Sequence, residues 1–398
     1  MTEKRRLNIL YTNIGRGHPF YLDGIVKALR QDYNDEIDLN IIDVFSLSNG
    51  ISLSLWKLIR AVYHRGSQGG PFGKIYAQLR KSSRPDRYGL TARILARNIR
   101  AYLKEHVDPT LVAHPVLVPM ISDLVPVYYQ HGEIAVPGVA AISGARIIYL
   151  PIEHSNKKYN ETAKTPARTF ISGLCIENSL ASKAKDLFTA RIKRLEENSH
   201  VIGAFFSSGA EPSAHVKKII AALDSIHRED FKGIVFCRAG GRLEHGLLNL
   251  DYVKRFDPFD INENFLEAIK KTSVVAVIYT DRKKESDCTA ALFKYFDYFV
   301  APSHERTNWA VGLGLPMFIL HPTIGPFSPL NREYLIECLV ARDLKTDEDA
   351  VNFGSILRQS IKDRSLLYMA QNGFGKHQLN GFSTIAAHLL GNLPGNRQ

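Results

Sequence analysis

A chain of 398 residues is long enough for two domains of ordinary size, each with its own core. Cys175, Cys237, Cys288 and Cys338 stand far apart and form no CxxC pair, which excludes a disulfide framework and a cysteine zinc site as readings. The net charge of +11 comes from one stretch, 51–104, which holds twelve Lys/Arg against the single acid Asp86, while the rest of the chain is balanced.

The N-terminus is basic for six residues and then enters a strand, with no apolar leader and no small-residue cleavage site. No run approaches the about 18 apolar residues of a membrane span. The expectation is a cytoplasmic protein, peripheral on the cytoplasmic face of a membrane. Residues 7–12 read as a short apolar strand, 13–18 as a turn and 20–30 as a helix. In the turn Gly15-Arg16-Gly17-His18 the glycines let the backbone bend sharply and approach a ligand, and the helix behind it offers unpaired N–H groups. The spacing is not that of a GxGxxG fingerprint. His18, at the carboxyl edge of a strand, is a candidate general base because an imidazole titrates near neutrality; a plain polar surface histidine is the alternative.

After a second strand at 37–43 comes the basic stretch, in which Trp56, Tyr63, Phe72, Tyr76, Tyr88 and Tyr102 are interleaved with the cations. Arg93, Arg97, Arg100 and Lys104 recur on one helical face, with Leu95, Ile99 and Leu103 largely opposite, and Lys57, Arg60 and His64 make a similar stripe. Ordinary surface helices mix both signs, so the near absence of acids marks a docking surface. The residues expected to meet an anionic membrane are Trp56, Lys57, Arg60, Arg93, Arg97 and Arg100. Nucleic acid is not an expected partner, since no RRM- or KH-like signature appears.

Strands at 110–113, 125–130 and 146–150 complete an α/β domain over 1–175, with a parallel sheet covered by helices. After a polar helical stretch, 179–198, the pattern restarts with strands at 201–206, 233–237, 274–279, 298–301 and 317–320. That defines a second α/β domain over 199–375, and 376–398 is expected to pack back on the first. Facing sheet edges would form a cleft, where ligands bind in such folds. The second domain opens with the turn Ser207-Ser208-Gly209-Ala210, suited to a phosphate or equally to a simple helix cap. Further on, Ser303-His304-Glu305-Arg306-Thr307-Asn308 precedes the turn Gly314-Leu315-Pro316, and its density of polar groups exceeds what a cap requires.

In this order the pieces resemble the two-domain GT-B glycosyltransferases of the group that includes MurG and the plastid-type monogalactosyldiacylglycerol synthases. Gly15, Gly17 and His18 match a glycine-rich turn ending in His. His131-Gly132-Glu133-Ile134-Ala135-Val136-Pro137-Gly138 is similar to a His-Glu-Gln-Asn-Ala-Val-Pro-Gly segment, and Ser172-Gly173-Leu174-Cys175-Ile176 to the hinge of the group. Asn308 stands where the group has a ribose-binding glutamate, with Glu305 one helical turn earlier.

The resemblance implies two Rossmann-like domains facing a central cleft. It also implies an inverting, metal-independent transfer from a nucleotide sugar, a UDP-sugar, to a lipid or lipid-linked acceptor, with no cofactor beyond the donor. His18 would take the acceptor proton, with His131 and Glu133 as the alternates, and Gly15, Arg16 and Gly17 would form the acceptor or phosphate loop. Ser207, Ser208 and Gly209 would hold the diphosphate, and Glu305, Arg306, Thr307 and Asn308 the rest of the nucleotide. A nucleotide-sugar 2-epimerase of the same architecture and a non-catalytic binder of anionic lipid or RNA are the alternatives.

Overall fold

The computed structural model describes residues 4–12, 14–15, 17–70, 89–197, 201–258 and 263–393. The chain divides into two compact units. The first runs to Asn178, with 67–69 excepted, and takes up the chain again from His377. The second spans 179–376 together with 67–69.

In the first unit six strands form one sheet: β1 (Arg5–Tyr11), β2 (Ile37–Asp43), β3 (Thr110–Val112), β4 (Val127–Gln130), β5 (Ile147–Leu150) and β6 (Thr169–Ile171). Their order is β2-β1-β3-β4-β5-β6, and every pair is parallel. β3, β4 and β5 are buried along their whole length, so they read as near-continuous apolar runs, as strands covered on both faces must. Asn8 is the buried polar side chain of β1. It accepts from Asn40 at 2.7 Å and donates to the carbonyls of His106 and Asp108, which offsets its desolvation.

One face of this sheet is covered by α1 (Gly17–Asp32) and the C-terminal helix Gly381–Asn392, through Leu22, Ile25 and Leu29 against Ile385 and Leu389. The other is covered by α2 (Gly50–Ser67) and α3 (Leu90–Glu105), through Trp56, Leu95, Ile99 and Leu103. From β1 the chain moves first to one side, to β2, and then to the other, to β3. The reversal puts the carboxyl ends of β1 and β3 side by side, the position at which open α/β sheets bind ligands.

The second unit has seven strands: β7 (Ile202–Phe206), β8 (Lys232–Arg238), β9 (Val253–Phe256), β10 (Val274–Tyr279), β11 (Tyr298–Ala301), β12 (Met317–Leu320) and β13 (Ala341–Leu344). The order is β13-β12-β11-β7-β8-β10-β9, again parallel throughout. Here the reversal falls between β7 and β11. A core of Phe205, Ile219, Leu223, Val235, Tyr298, Phe318 and Phe353 joins this sheet to the long helix Ser213–Arg228 and to the helices after β13. Arg191 is fully buried beside it. Its Nε donates to the Phe296 carbonyl and its Nη1 to those of Leu313 and Gly314, at 2.7 to 3.1 Å, and burial lowers its pKa to about 9.

Candidate functional site

In the first unit the residues that follow β1 and β3 converge. Gly15 has φ +76°, a left-handed conformation, and a Cβ there would lie 2.6 Å from the Tyr63 hydroxyl carried by α2. Gly17 opens α1, and half-buried His18 stands in its first turn. The His18 ring lies 4.6 Å from the ring of His114, centroid to centroid, at 52°. His114 follows β3 and caps the short turn Pro115–Leu117, its Nδ1 accepting from the Val116 N–H at 3.3 Å.

Glu133 reaches the same place from the segment after β4: a Cβ on Gly17 would sit 3.6 Å from its Oε1. Gly132, before it, is forced by packing, since a Cβ there would meet the Tyr21 ring at 2.2 Å. Arg16 lies outside the described residues. Glu133 is thus brought to the Gly17 end of the turn that carries His18, and His114 stands against the His18 ring although nothing around it in the sequence marks it apart from a proline that suits a capped turn.

His131 does not belong to this group. It is 3 % exposed, its Nε2 donates to the Ala135 carbonyl at 2.9 Å, and its Nδ1 accepts from the Tyr129 hydroxyl at 3.2 Å. Burial lowers its pKa to about 4. With both ring nitrogens committed it braces the 131–135 bend and is corrected from alternate base to structural residue.

In the second unit the turn after β7 and the run after β11 occupy neighbouring strand ends. Ser207 is 8 % exposed with no hydrogen-bond partner for its hydroxyl among the described residues, Ser208 is half-buried and Gly209 is exposed. A Cβ at Gly209 would meet open space, so packing does not demand glycine there. Glu211 ends the turn at φ +45°, and its carboxylate accepts from the Arg242 N–H, which ties the loop after β8 to the turn.

Across from it Ser303 bonds both the Ser328 hydroxyl and the Ser328 carbonyl at 2.8 Å, and Asn331 donates to the Ser303 carbonyl at 3.0 Å, so the run is fastened at its start. Glu305 keeps 11 % of its side chain exposed. Thr307 and Asn308 open the short helix Thr307–Gly312 and are buried, the Thr307 hydroxyl lacking a hydrogen-bond partner among the described residues. Arg306 is paired with Glu285 and lies over the Phe206 ring at 4.0 Å, 6 % exposed. It is therefore corrected from a nucleotide contact to a buried brace.

Sequence reasoning passed over His215, which is fully buried in the first turn of Ser213–Arg228. Its Nε2 donates to the Pro322 carbonyl at 2.8 Å, its Nδ1 has no hydrogen-bond partner among the described residues, and burial lowers its pKa to about 4.

The basic stretch resolves into two kinds of residue. Lys57, Arg60, Arg93, Arg97 and Lys104 are exposed, as are Ile51, Leu58, Val62 and Leu90, so α2 and α3 present cations and apolar side chains together. Arg60 also lies over the Phe45 ring at 4.6 Å. Trp56 is corrected: it is 1 % exposed and donates from Nε1 to the Leu95 carbonyl at 3.2 Å, because the inward face of α2 must cover the sheet. Arg100 is tied down on its own surface. It forms a two-pronged ion pair with Asp123, at 2.6 and 2.8 Å, that fastens α3 to the 120–123 turn. Phe72, Tyr76, Tyr88 and the cations of 71–88 lie outside the described residues.

Among the described residues no helix is long and apolar enough to cross a membrane, and no group of three or more His, Cys, Asp or Glu is gathered to hold a metal ion.

No family model and no curated protein matches the chain by sequence. Solved structures do match its fold. The UDP-GlcNAc 2-epimerase from Neisseria meningitidis, bound to UDP-GlcNAc, superposes with a TM-score of 0.56 at 11% identity over 97% of this chain and 100% of that one. Acinetobacter baumannii MurG gives 0.53 at 11% over 98% and 100%. Phytolacca americana UGT2, complexed with UDP-2fluoro-glucose and pterostilbene, gives 0.53 at 11% over 97% and 99%. The two parallel α/β units thus have the GT-B fold of these enzymes.

Proposed function

We propose that this protein is a UDP-sugar-dependent glycosyltransferase that transfers a sugar, with inversion, to a hydroxyl of a lipid or lipid-linked acceptor at an anionic membrane surface. The observation that carries this reading is the mixed face of α2 and α3, where Ile51, Leu58, Val62 and Leu90 stand exposed among Lys57, Arg93, Arg97 and Lys104. A soluble acceptor gives no reason for such a face, whereas a lipid surface is apolar at one depth and anionic at another.

The first unit takes the acceptor. As its hydroxyl oxygen bonds to the sugar C1, the O–H proton passes to a His18 ring nitrogen. The bond from C1 to the diphosphate oxygen breaks, and its electron pair leaves with the UDP. In the second unit the diphosphate lies against the Ser207–Ala210 turn, where a helix of sixteen residues presents its N-terminal N–H groups. The unpartnered hydroxyls of Ser207 and Thr307 are donors suited to phosphate oxygens, and glycine at 209, which packing does not require, leaves the backbone open to close approach. Glu305 and Asn308 are the candidates for the ribose. The reading calls for no resident cofactor.

A second reading, a UDP-sugar 2-epimerase, draws on Glu133, whose carboxylate reaches Gly17 in the turn that carries His18. One experiment separates the two. UDP-GlcNAc, UDP-glucose and UDP-galactose are incubated in D2O with vesicles of phosphatidylglycerol and diacylglycerol. A transferase forms glycolipid and UDP, and no deuterium enters the sugar at C2. An epimerase must break the C2–H bond and exchanges it without lipid. Exchange at C2, or UDP-sugar turnover indifferent to the vesicles, would sink the transferase reading.

A further inference from the structure

We infer that Tyr63 is a positioning residue for the turn that carries His18, and that it makes this turn responsive to the seating of α2 on a lipid surface. The inference rests on the reading of the α2 and α3 face as a membrane-docking surface.

The contact itself comes first. Gly15 has φ +76°, a conformation that asparagine also adopts, so the backbone alone does not demand glycine. The Tyr63 ring does. A Cβ at position 15 would lie 2.6 Å from the hydroxyl oxygen, 3.0 Å from Cζ and 3.3 Å from Cε1, so the ring covers the face of the turn that any side chain would need. Ile14, the residue before, is 2 % exposed in the core that also holds Trp56, and Tyr63 and Ile59 pack against that core. The turn is therefore held from the α2 side, and His18 follows it at the start of α1.

The helix that supplies Tyr63 is fastened unevenly. Its N-terminal half is pinned to α3, the Ser52 hydroxyl and the Trp56 Nε1 both donating to the Leu95 carbonyl, at 3.1 and 3.2 Å. Beyond Trp56, every residue from Lys57 to Arg65 is exposed except Ile59 and Tyr63. That segment carries Lys57, Arg60 and Arg65 with apolar Leu58, Ala61 and Val62, and no acid. Its chemistry fits an anionic lipid surface, apolar at one depth and charged at the level of the headgroups. A helical segment exposed on most of its circumference gains much of its order from what covers it. Lipid that buries Leu58 and Val62 and pairs with Lys57 and Arg65 steadies the segment, and the steadied Tyr63 ring closes the space into which the permissive Gly15 backbone would move. Docking thus reaches the base through Tyr63, without contact between lipid and His18.

The test needs no sugar donor. Amide hydrogen exchange is followed in a peptic peptide spanning residues 12–18, with and without phosphatidylglycerol vesicles, in the parent, Tyr63→Phe and Tyr63→Leu. Leucine keeps an apolar side chain against the core but ends short of Gly15, while phenylalanine keeps the ring. Without vesicles the turn should exchange faster in Tyr63→Leu than in the parent by about threefold or more, and Tyr63→Phe should restore most of the protection. Exchange in β1 and β3 should stay as in the parent, which separates a local effect from a loss of fold. Vesicles should slow the turn by about threefold or more in the parent and in Tyr63→Phe, yet leave it unchanged in Tyr63→Leu, although all three proteins sediment with them alike.

A turn that exchanges alike in all three proteins would overturn the inference. So would a turn that vesicles leave untouched in a parent that sediments, an arm that does not depend on how well Tyr63→Leu folds. A parent that does not sediment would sink the membrane reading and this coupling with it, whereas failure to find a transfer product would leave both standing.

Discussion

The Arg306 guanidinium is 6 % exposed, lies over Phe206 at 4.0 Å and Trp309 at 5.4 Å, and pairs with the equally buried Glu285. Removing one partner leaves a charge stranded in the interior, which costs about 3–5 kcal/mol, whereas replacing both with apolar groups is often close to neutral. Urea denaturation should therefore find Arg306→Ala and Glu285→Ala each less stable by about that amount, and Arg306→Met with Glu285→Leu near the parent. Three separately mild variants would mean that the ion pair is not the brace. The buried histidines set a pH dependence of known sign. His131 and His215 are lowered from 6.5 to about 4 by burial, so the folded protein binds fewer protons there than the unfolded chain. Stability from keeping them neutral is whole above about pH 6.5 and is lost as pH falls toward 4, on the order of 3 kcal/mol for each. The urea midpoint should drop across that window, and His131→Gln should remove part of the slope; a flat profile would contradict the burial of both rings.

At the scale of the element, the turns after β1 and β7 are legible in the sequence because a strand, a small-residue turn and a helix each leave a local pattern. The edge strands β6, β9 and β13 are not. They are short and half-buried, with one flank unpaired, and so lack the apolar runs of β4 or β10. His114 is illegible for another reason: its partner follows the neighbouring strand, about a hundred residues away in the chain, and locally it is only a cap. In the basic helices composition is legible and phase is less so. Charge alone does not separate Arg97, which faces out, from Arg100, which is tied to Asp123, and the indole of Trp56 goes inward. Changing Lys57, Arg93 and Arg97 to Ala should weaken sedimentation with phosphatidylglycerol vesicles by about a hundredfold at low salt, at about 1 kcal/mol for each cation. The melting temperature should hold. Trp56→Ala should instead cost about 3–5 kcal/mol of stability and leave vesicle preference intact. Equal binding of the parent to phosphatidylcholine would remove the electrostatic argument.

At the scale of the whole molecule, the chain makes its first unit from two pieces and its second almost entirely from one. The C-terminal helix packs on α1 so closely that a Cβ at Gly24 would stand 2.4 Å from the Phe382 ring, and Phe20 meets that ring edge-on at 5.8 Å. Gly381 sits against the carbonyls of Gly173 and Leu174, where a Cβ would be 2.6 Å and 2.8 Å away, and Cys175 bridges to Asn380. Ile385, Ala386 and Leu389 are buried in the same core as Leu7 and Ile9 of β1, so losing this helix would bare one face of the sheet that carries His18 and His114. Uncovering several large apolar side chains at about 1.5–3 kcal/mol each exceeds the total stability of most domains. The second unit has no such debt to a distant segment, since its core residues run from Leu195 to Ala370. Residues 179–376 expressed alone should therefore melt cooperatively, while 1–178 alone should not, and adding 377–398 as a separate peptide should restore a cooperative transition to 1–178. A cooperative 1–178 that is indifferent to the peptide would show that the returning helix is dispensable to the unit that holds the proposed base.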